Sequence, residues 1–428
     1  MRNHKKLAVL GALLVSGIML TGCNGNVQLK HVEEAKKDSG VRISIYYPKG
    51  MTVEGVIEEI TANFKNENPD IIVDFNASTT EYENIMKIKM ASRDMPDVFG
   101  THGWAVRRYG AFLADLSHEE WAPRVKDSIR PIVTDKNGKL YVLPMDEDRT
   151  GPIFNVEILE KYGIKVPATF DQLIAACEAI KEKSNGTIIP MYIDGGNPGG
   201  IGNFYDLYST PLLISPENNY AQEILDGTFD WSKYDLLSEK LLELKNKGLI
   251  NKDVLTARSS DAIAAFAAGK VAFAGVSNPT IIGEAKKINP DLKAGIMPIP
   301  AMVEGDEPTF VGGERTTFGV WKDSPNIEVA KKYVAFLARP ENIRKVAEVN
   351  RVPAGLTGAN EDLGELTPYY EKYRNLRIFP YFDRAYLPSG MWDVMCKNGQ
   401  DLLAGAITPQ QYSQNMKKEF DRLRAQNK

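Results

Sequence analysis

Aromatic and charged side chains gathered in short, glycine-punctuated segments are the residues of this chain best placed to do chemistry. Aromatic rings meet apolar C–H patches of a small molecule, and carboxylates, amides and guanidinium groups meet its polar atoms. Segments of that kind are GTHGWAVRRYG with His102 and Trp104, and the charged run Asp146, Glu147, Asp148 and Arg149. Others are GGNPGGIGNFYDLY with Asn203, Phe204 and Tyr205, and GVSNP with Ser277 and Asn278. FVGGERT carries Gly312, Gly313, Glu314 and Arg315, and YFDRAYLPSGMWDVM carries Tyr386 and Trp392.

Competing chemistries fit less well. The glycine-rich stretch lacks the Gly-Lys-Ser/Thr of a phosphate loop and does not sit as a GxGxxG after a first strand. GVSNP is half of a nucleophile elbow, with Pro279 where the second glycine belongs. Past residue 22 only His31, His102 and His118 remain, without HExxH or Cys/His ligand spacing, so no zinc site is expected. The run Asp146 to Arg149 lacks the oxygen spacing and turning glycine of a calcium loop. Neither a metal nor a cofactor is expected. A formal net charge of −4 argues against nucleic acid.

The elements that must position these residues can be read from periodicity. Val41, Ile43, Ile45 and Tyr47 alternate as a strand; Val53, Ile57, Ile60 and Phe64 share one helical face; IIVDF, a helix over about 81–93 and PDVFG follow. This β-α-β-α-β order predicts a doubly wound α/β sheet, whose ligands lie at the carboxyl ends of the strands, where Trp104 falls. The pattern restarts past residue 150. Thr169 and Gln172 form a capping box opening a helix that runs to about Lys183, with Cys177 on its apolar stripe as a small buried hydrophobe. IIPMYI reads as a strand, GGNPGGIGNFYDLY as a loop too rich in glycine for a helix, and Trp231 and Trp321 as structural. Two α/β units leave a cleft between them, a common place for small molecules.

At the start, Arg2, Lys5 and Lys6 precede an uncharged run from Leu7 to Leu20, the layout of a secretory signal peptide. Fourteen residues at about 1.5 Å each reach roughly 21 Å, short of a bilayer core of roughly 30 Å. Leu20-Thr21-Gly22-Cys23 resembles the cleavage box of bacterial lipoprotein precursors. That resemblance implies a signal peptide over 1–22, lipidation of Cys23, a tether over 23–40 and a place on the outer face of a cell membrane. Two acyl chains supply the two membrane signals that stable anchoring needs.

ASRDMPDVF, GKLYVLPMD with IFNVEILEKYGI, FAAGKVAFAG, GIMPIP and FVGGERTTFGVWKDSPNIEVAKKYVAFL together resemble, in order, the extracellular solute-binding proteins of bacterial ABC importers, in the cluster of the maltose-binding protein. The likeness spans about 41–428. It implies a two-lobed, type II periplasmic-binding-protein-like fold closing by a hinge. Lobe 1 would cover 41–147 and continue over about 275–320; lobe 2 would cover 148–274 and continue over about 321–428. It further implies a monomeric binding protein without catalysis, a carbohydrate ligand, and as partners ABC permease subunits and, through them, a cytoplasmic ATPase. Trp392 stands first among the expected ligand contacts, where relatives present a stacking aromatic. Trp104, Asp146, Glu314, Arg315, Tyr386, Asn278, Tyr205, Arg149 and Gly313 complete the set. Two alternatives stay open: a secreted glycoside hydrolase, which needs two carboxylates roughly 5 to 10 Å apart, and the same fold holding a glycerol phosphodiester through Arg149 and Arg315.

Overall fold

A computed structural model describes residues 40–48, 53–78, 82–101, 103, 105–274 and 279–426. Val41–Pro48 alternates as its sequence predicts, with Ile43, Ile45 and Tyr47 almost fully buried. It pairs in parallel with Ile71–Ser78, Val41 opposite Ile71, and on its other edge with Val98–Phe99. Thr317–Val320 then joins antiparallel to Val98–Phe99, and Leu143–Pro144 closes a five-stranded sheet. The helix Glu54–Glu67 lays Ile57, Ile60 and Phe64 on this sheet.

A second sheet orders Ala294–Ile296, Ile153–Asn155, Val271–Ala274 and Ile189–Tyr192 side by side. The Thr169 cap holds, its Oγ accepting from the N–H of Gln172 at 3.2 Å, but the reciprocal bond of a capping box is displaced by one residue: Gln172 Oε1 accepts from the N–H of Ala168 at 2.9 Å rather than from that of Thr169. The helix it opens, Phe170–Lys183, buries Cys177 completely, and burial pushes that thiol well above its ordinary pKa. Trp231 is buried beside Tyr234 and Phe420, as a structural residue should be.

Two expectations are corrected here. The glycine-rich stretch is a helix, Pro198–Leu213, with Asn197 as its cap and Pro198 in the first turn. Thirteen of its sixteen residues are buried, so tertiary packing outweighs the glycine penalty of roughly 1 kcal/mol per residue. The return between lobes also falls elsewhere. One core gathers residues between Ile43 and Met145 with Phe318 to Ala359. Two adjoining cores gather Ile153 to Val311 with Leu363 to Phe420. Hence 282–311 belong with the second lobe and 321–359 with the first, against the expected continuation, while 318–320 and 363–420 fall where it placed them. The cause is local packing: Tyr333 meets Phe64 edge-on at 5.1 Å and shares a 2.7 Å hydrogen bond with Thr61, which fixes the helix Ile327–Leu337 on the first sheet. The chain therefore crosses between lobes near 146–152, 312–317 and 355–362.

Candidate ligand site between the lobes

The carboxyl ends of Ile189–Tyr192 and Val271–Ala274 open onto a groove of about 520 Å³ on the second lobe. Four helices begin at its walls: Pro198–Leu213, Ser259–Ala267, Thr280–Ile288 and Met391–Leu403. The first turns of helices carry N–H groups without helical acceptors and a partial positive charge, so they favour oxygen lone pairs. Asp194, Asn197, Asn203, Ser259 and Glu284 add polar side chains to the wall. The Asp194 carboxylate accepts from the hydroxyl of Ser259, which joins two of the helix starts.

Trp392 lies over this groove, half-buried. Its indole rests on the helix Pro198–Leu213 where side chains are missing. A Cβ on Gly202 would come within 3.2 Å of the ring and 2.4 Å of the Cys396 sulfur, so only glycine leaves room there. The glycines that obscured the helix thus form the ledge for the aromatic ring. Trp392 is the one aromatic side chain on the groove wall among the described residues.

A second hollow, of about 320 Å³, lies between the lobes. Gly103, Arg107 and Ile132 face it from the first lobe, Glu314 from a crossing, and Tyr381 and Arg384 from the second. Glu314 is 2 % exposed; its Oε1 accepts from the N–H of Ala105 at 3.1 Å, and its Oε2 has no partner among the described residues. Burial pushes this carboxyl up to about 7, against the opposing pull of the Ala105 N–H and the Arg384 charge. A buried acceptor without a donor is a place for a ligand hydroxyl. Because the folded pKa lies above the ordinary 4.5, the folded state binds more protons than the unfolded one between pH about 4.5 and about 7. Stability should therefore fall as pH rises through that window. Glu314→Gln, which keeps the acceptor for Ala105, is expected to make the ligand-free protein less sensitive to this rise, by up to about 3 kcal/mol between pH 5 and 8. Urea unfolding at both values checks it; equal pH slopes in parent and variant would refute the assignment.

Of the other expected contacts, Tyr386 packs on the Phe382 ring and lines a neighbouring chamber. Arg315 is half-buried, with Nη1 buried and without a partner among the described residues. Gly313 serves a different purpose: its φ of 109° and the 2.7 Å from a built Cβ to Ile132 Cδ1 make it a close-approach residue of the crossing strand Phe310–Gly313. Three assignments are corrected. Asp146 is fully buried and accepts from the Thr316 N–H at 2.9 Å, the Thr316 hydroxyl at 2.8 Å and Asn350 Nδ2 at 2.5 Å, so it ties crossings together rather than facing a ligand. Arg149 is buried against Glu147, with Nη1 donating to the Tyr373 carbonyl at 3.4 Å, which removes one of the two cations of the phosphodiester reading. Tyr205 is fully buried, stacked on Tyr412 at 4.2 Å and hydrogen-bonded to Ser238, because it sits on the inner face of a helix that the glycine count concealed. Trp104, Asn278 and Cys23 lie outside the described residues.

Sequence reasoning passed over Asp194, Asn197, Arg107 and Arg384. Asp194 had a signal: it follows a strand, the same carboxyl-end position that singled out Trp104. Among the described residues no group of three or more His, Cys, Asp or Glu could hold a metal ion, and no helix is long and apolar enough to cross a membrane.

Two α/β lobes, three crossings and a hollow between them define a two-lobed, type II solute-binding fold. The chain belongs to the bacterial extracellular solute-binding protein family, whose pattern it matches over residues 50–343. It is 39% identical over 412 residues, 96% of this chain and 95% of the relative, to the melibiose/raffinose/stachyose-binding protein MelE of Bacillus subtilis. Among solved structures, an open conformation of the binding protein MsmE of Bacillus subtilis overlays with a TM-score of 0.88 at 39% identity, covering 91% of this chain and 99% of that one. A sugar transporter protein of Bacillus licheniformis in complex with stachyose overlays with 0.80 at 42% identity, covering 90% of this chain and 100% of that one.

Proposed function

We propose that this protein captures oligosaccharides of the melibiose, raffinose and stachyose series outside the cell and delivers them to an ABC permease, tethered to the membrane through lipid on Cys23. The observation that carries the reading is the groove itself, an indole held over a wall of carboxylate, amide and hydroxyl groups at four helix starts. That is the surface a pyranose needs, ring face on one side and hydroxyl rim on the other. The likeness to MelE and to the stachyose-bound relative supports this choice of sugars.

Capture follows from contacts that exist only when the lobes come together. Trp392 and its polar wall belong to the second lobe, and the Glu314 acceptor is completed by the N–H of Ala105 from the first. A ligand touching both stabilises the closed arrangement by the contacts it makes there and not in the open one. A sugar lacking a hydroxyl at one of these acceptors leaves it unpaired, which gives discrimination. Calorimetric titration of the chain without residues 1–22 against raffinose, stachyose, maltose and glycerophosphocholine tests the reading. Saturable binding of raffinose or stachyose is expected, with unchanged sugar recovered by chromatography; no response to either, or released monosaccharide, overturns it.

The anchor has a separate test. Cys23→Ala is expected to move the protein from the membrane pellet to the culture medium with raffinose affinity unchanged, as fractionation and titration would show. A variant that still pellets refutes lipidation at Cys23.

A further inference from the structure

Beside the Glu314 hollow lies a chamber of about 440 Å³ whose charges do not suit a neutral sugar. Four arginines from three elements face it: Arg107 and Arg108 from the first-lobe turn Ala105–Tyr109, Arg384 from Phe382–Tyr386 and Arg424 from Pro409–Gln426. Asp383 is the one carboxylate among the lining residues, in a chain whose net charge is −4. We propose that this chamber binds a tetrahedral dianion, phosphate or sulfate, free or as the ester of a sugar, and that the anion favours engagement of the two lobes.

Donor count and geometry support the assignment. A guanidinium has five N–H donors in a planar fork that matches the oxygens of phosphate and sulfate. Arg107 donates to the carbonyl of Ala385 and Arg424 to the carbonyl of Asp226, which leaves most of each fork for another acceptor. Arg108 is held in place by Glu83 and, at 3.2 Å, by Ser389 Oγ. The rings of Tyr386 and Phe420 supply apolar wall, and the volume falls within the range of small-molecule pockets, enough for an ester as well as a bare ion. Burial first, then the neighbouring Asp206, push the Asp383 carboxyl above the ordinary carboxylate range, with Arg384 and Arg108 pulling the other way and Asp393 adding to the rise. Because the arginines come from both lobes, an anion between them is held best when the lobes are engaged. By linkage, a sugar that favours the same arrangement and the anion must strengthen each other's binding equally.

The first measurement uses no sugar, so its failure is separate from any failure of the oligosaccharide reading. Thermal unfolding of the chain without residues 1–22 is followed with low-millimolar sodium sulfate against sodium chloride at equal ionic strength. A saturable rise in midpoint is expected for the parent and none for Arg424→Gln, which separates site binding from the general stabilisation sulfate gives by exclusion. In sulfate the parent should bind raffinose about fivefold more tightly than in chloride, and Arg424→Gln should bind it equally in both salts, with the parent's affinity in chloride. Galactose 6-sulfate distinguishes the sources: displacement of inorganic sulfate by it identifies a sugar-ester site, and its failure to compete identifies a free-anion site. No sulfate-specific rise in the parent, or an equal rise in Arg424→Gln, overturns the proposal.

Discussion

Replacing Trp392 with alanine is expected to weaken raffinose binding by roughly thirtyfold or more, a loss of about 2 kcal/mol, while the ligand-free unfolding midpoint changes little. The asymmetry follows from where the ring sits. Trp392 is half-buried at the edge of the second lobe's core, not within it, so removing it leaves no enclosed cavity. In the groove, by contrast, it is the one aromatic wall among the described residues, and the ledge at Gly202 fixes its height over the polar groups opposite. Trp392→Phe keeps a ring over the groove with less area and should recover part of the loss. Calorimetric titration decides the matter: an alanine variant within threefold of the parent would move the sugar away from this groove.

What the sequence disclosed, and what it hid, depended on the range of the interactions involved. The strand Val41–Pro48 and the helix Phe170–Lys183 were legible because each has one buried face, so periodicity and a local cap describe them fully. Trp392 was singled out by its place in the family order, and the structure places it on the groove wall. The helix Pro198–Leu213 was not, because its glycines argue against helix locally while the Trp392 and Cys396 side chains that need those glycines lie almost two hundred residues away. The lobe boundaries failed for the same reason: the helix Ile327–Leu337 joins the first lobe because Tyr333 packs on Phe64 and hydrogen-bonds to Thr61, and no pattern near residue 327 announces it. The run Asp146 to Arg149 was read as ligand-facing through Asp146 and Arg149. All four residues are instead buried, because the partners that make burial tolerable, such as Thr316 and Asn350 for Asp146, arrive from the other crossings.

That burial sets the other large effect. Asp146→Ala is expected to destabilise the protein by about 4 kcal/mol, since it strips the acceptor from three buried donors at once: the Thr316 N–H, the Thr316 hydroxyl and Asn350 Nδ2. Asn350 has little room to compensate; among the described residues its Oδ1 already lacks a partner, and its Nδ2 has besides Asp146 the Thr316 hydroxyl at 3.1 Å. Asp146→Asn retains one acceptor oxygen and should cost less than half as much. The damage should extend beyond stability, because Thr316 follows directly on Glu314 and Arg315 in the same crossing. Loosening its anchor lets the Glu314 carboxylate drift from the N–H of Ala105, so raffinose affinity should fall even in variant protein that is fully folded. Urea unfolding and titration below the unfolding transition measure the two effects separately. An alanine variant within about 1 kcal/mol of the parent would mean that Asp146 does not hold the crossings together.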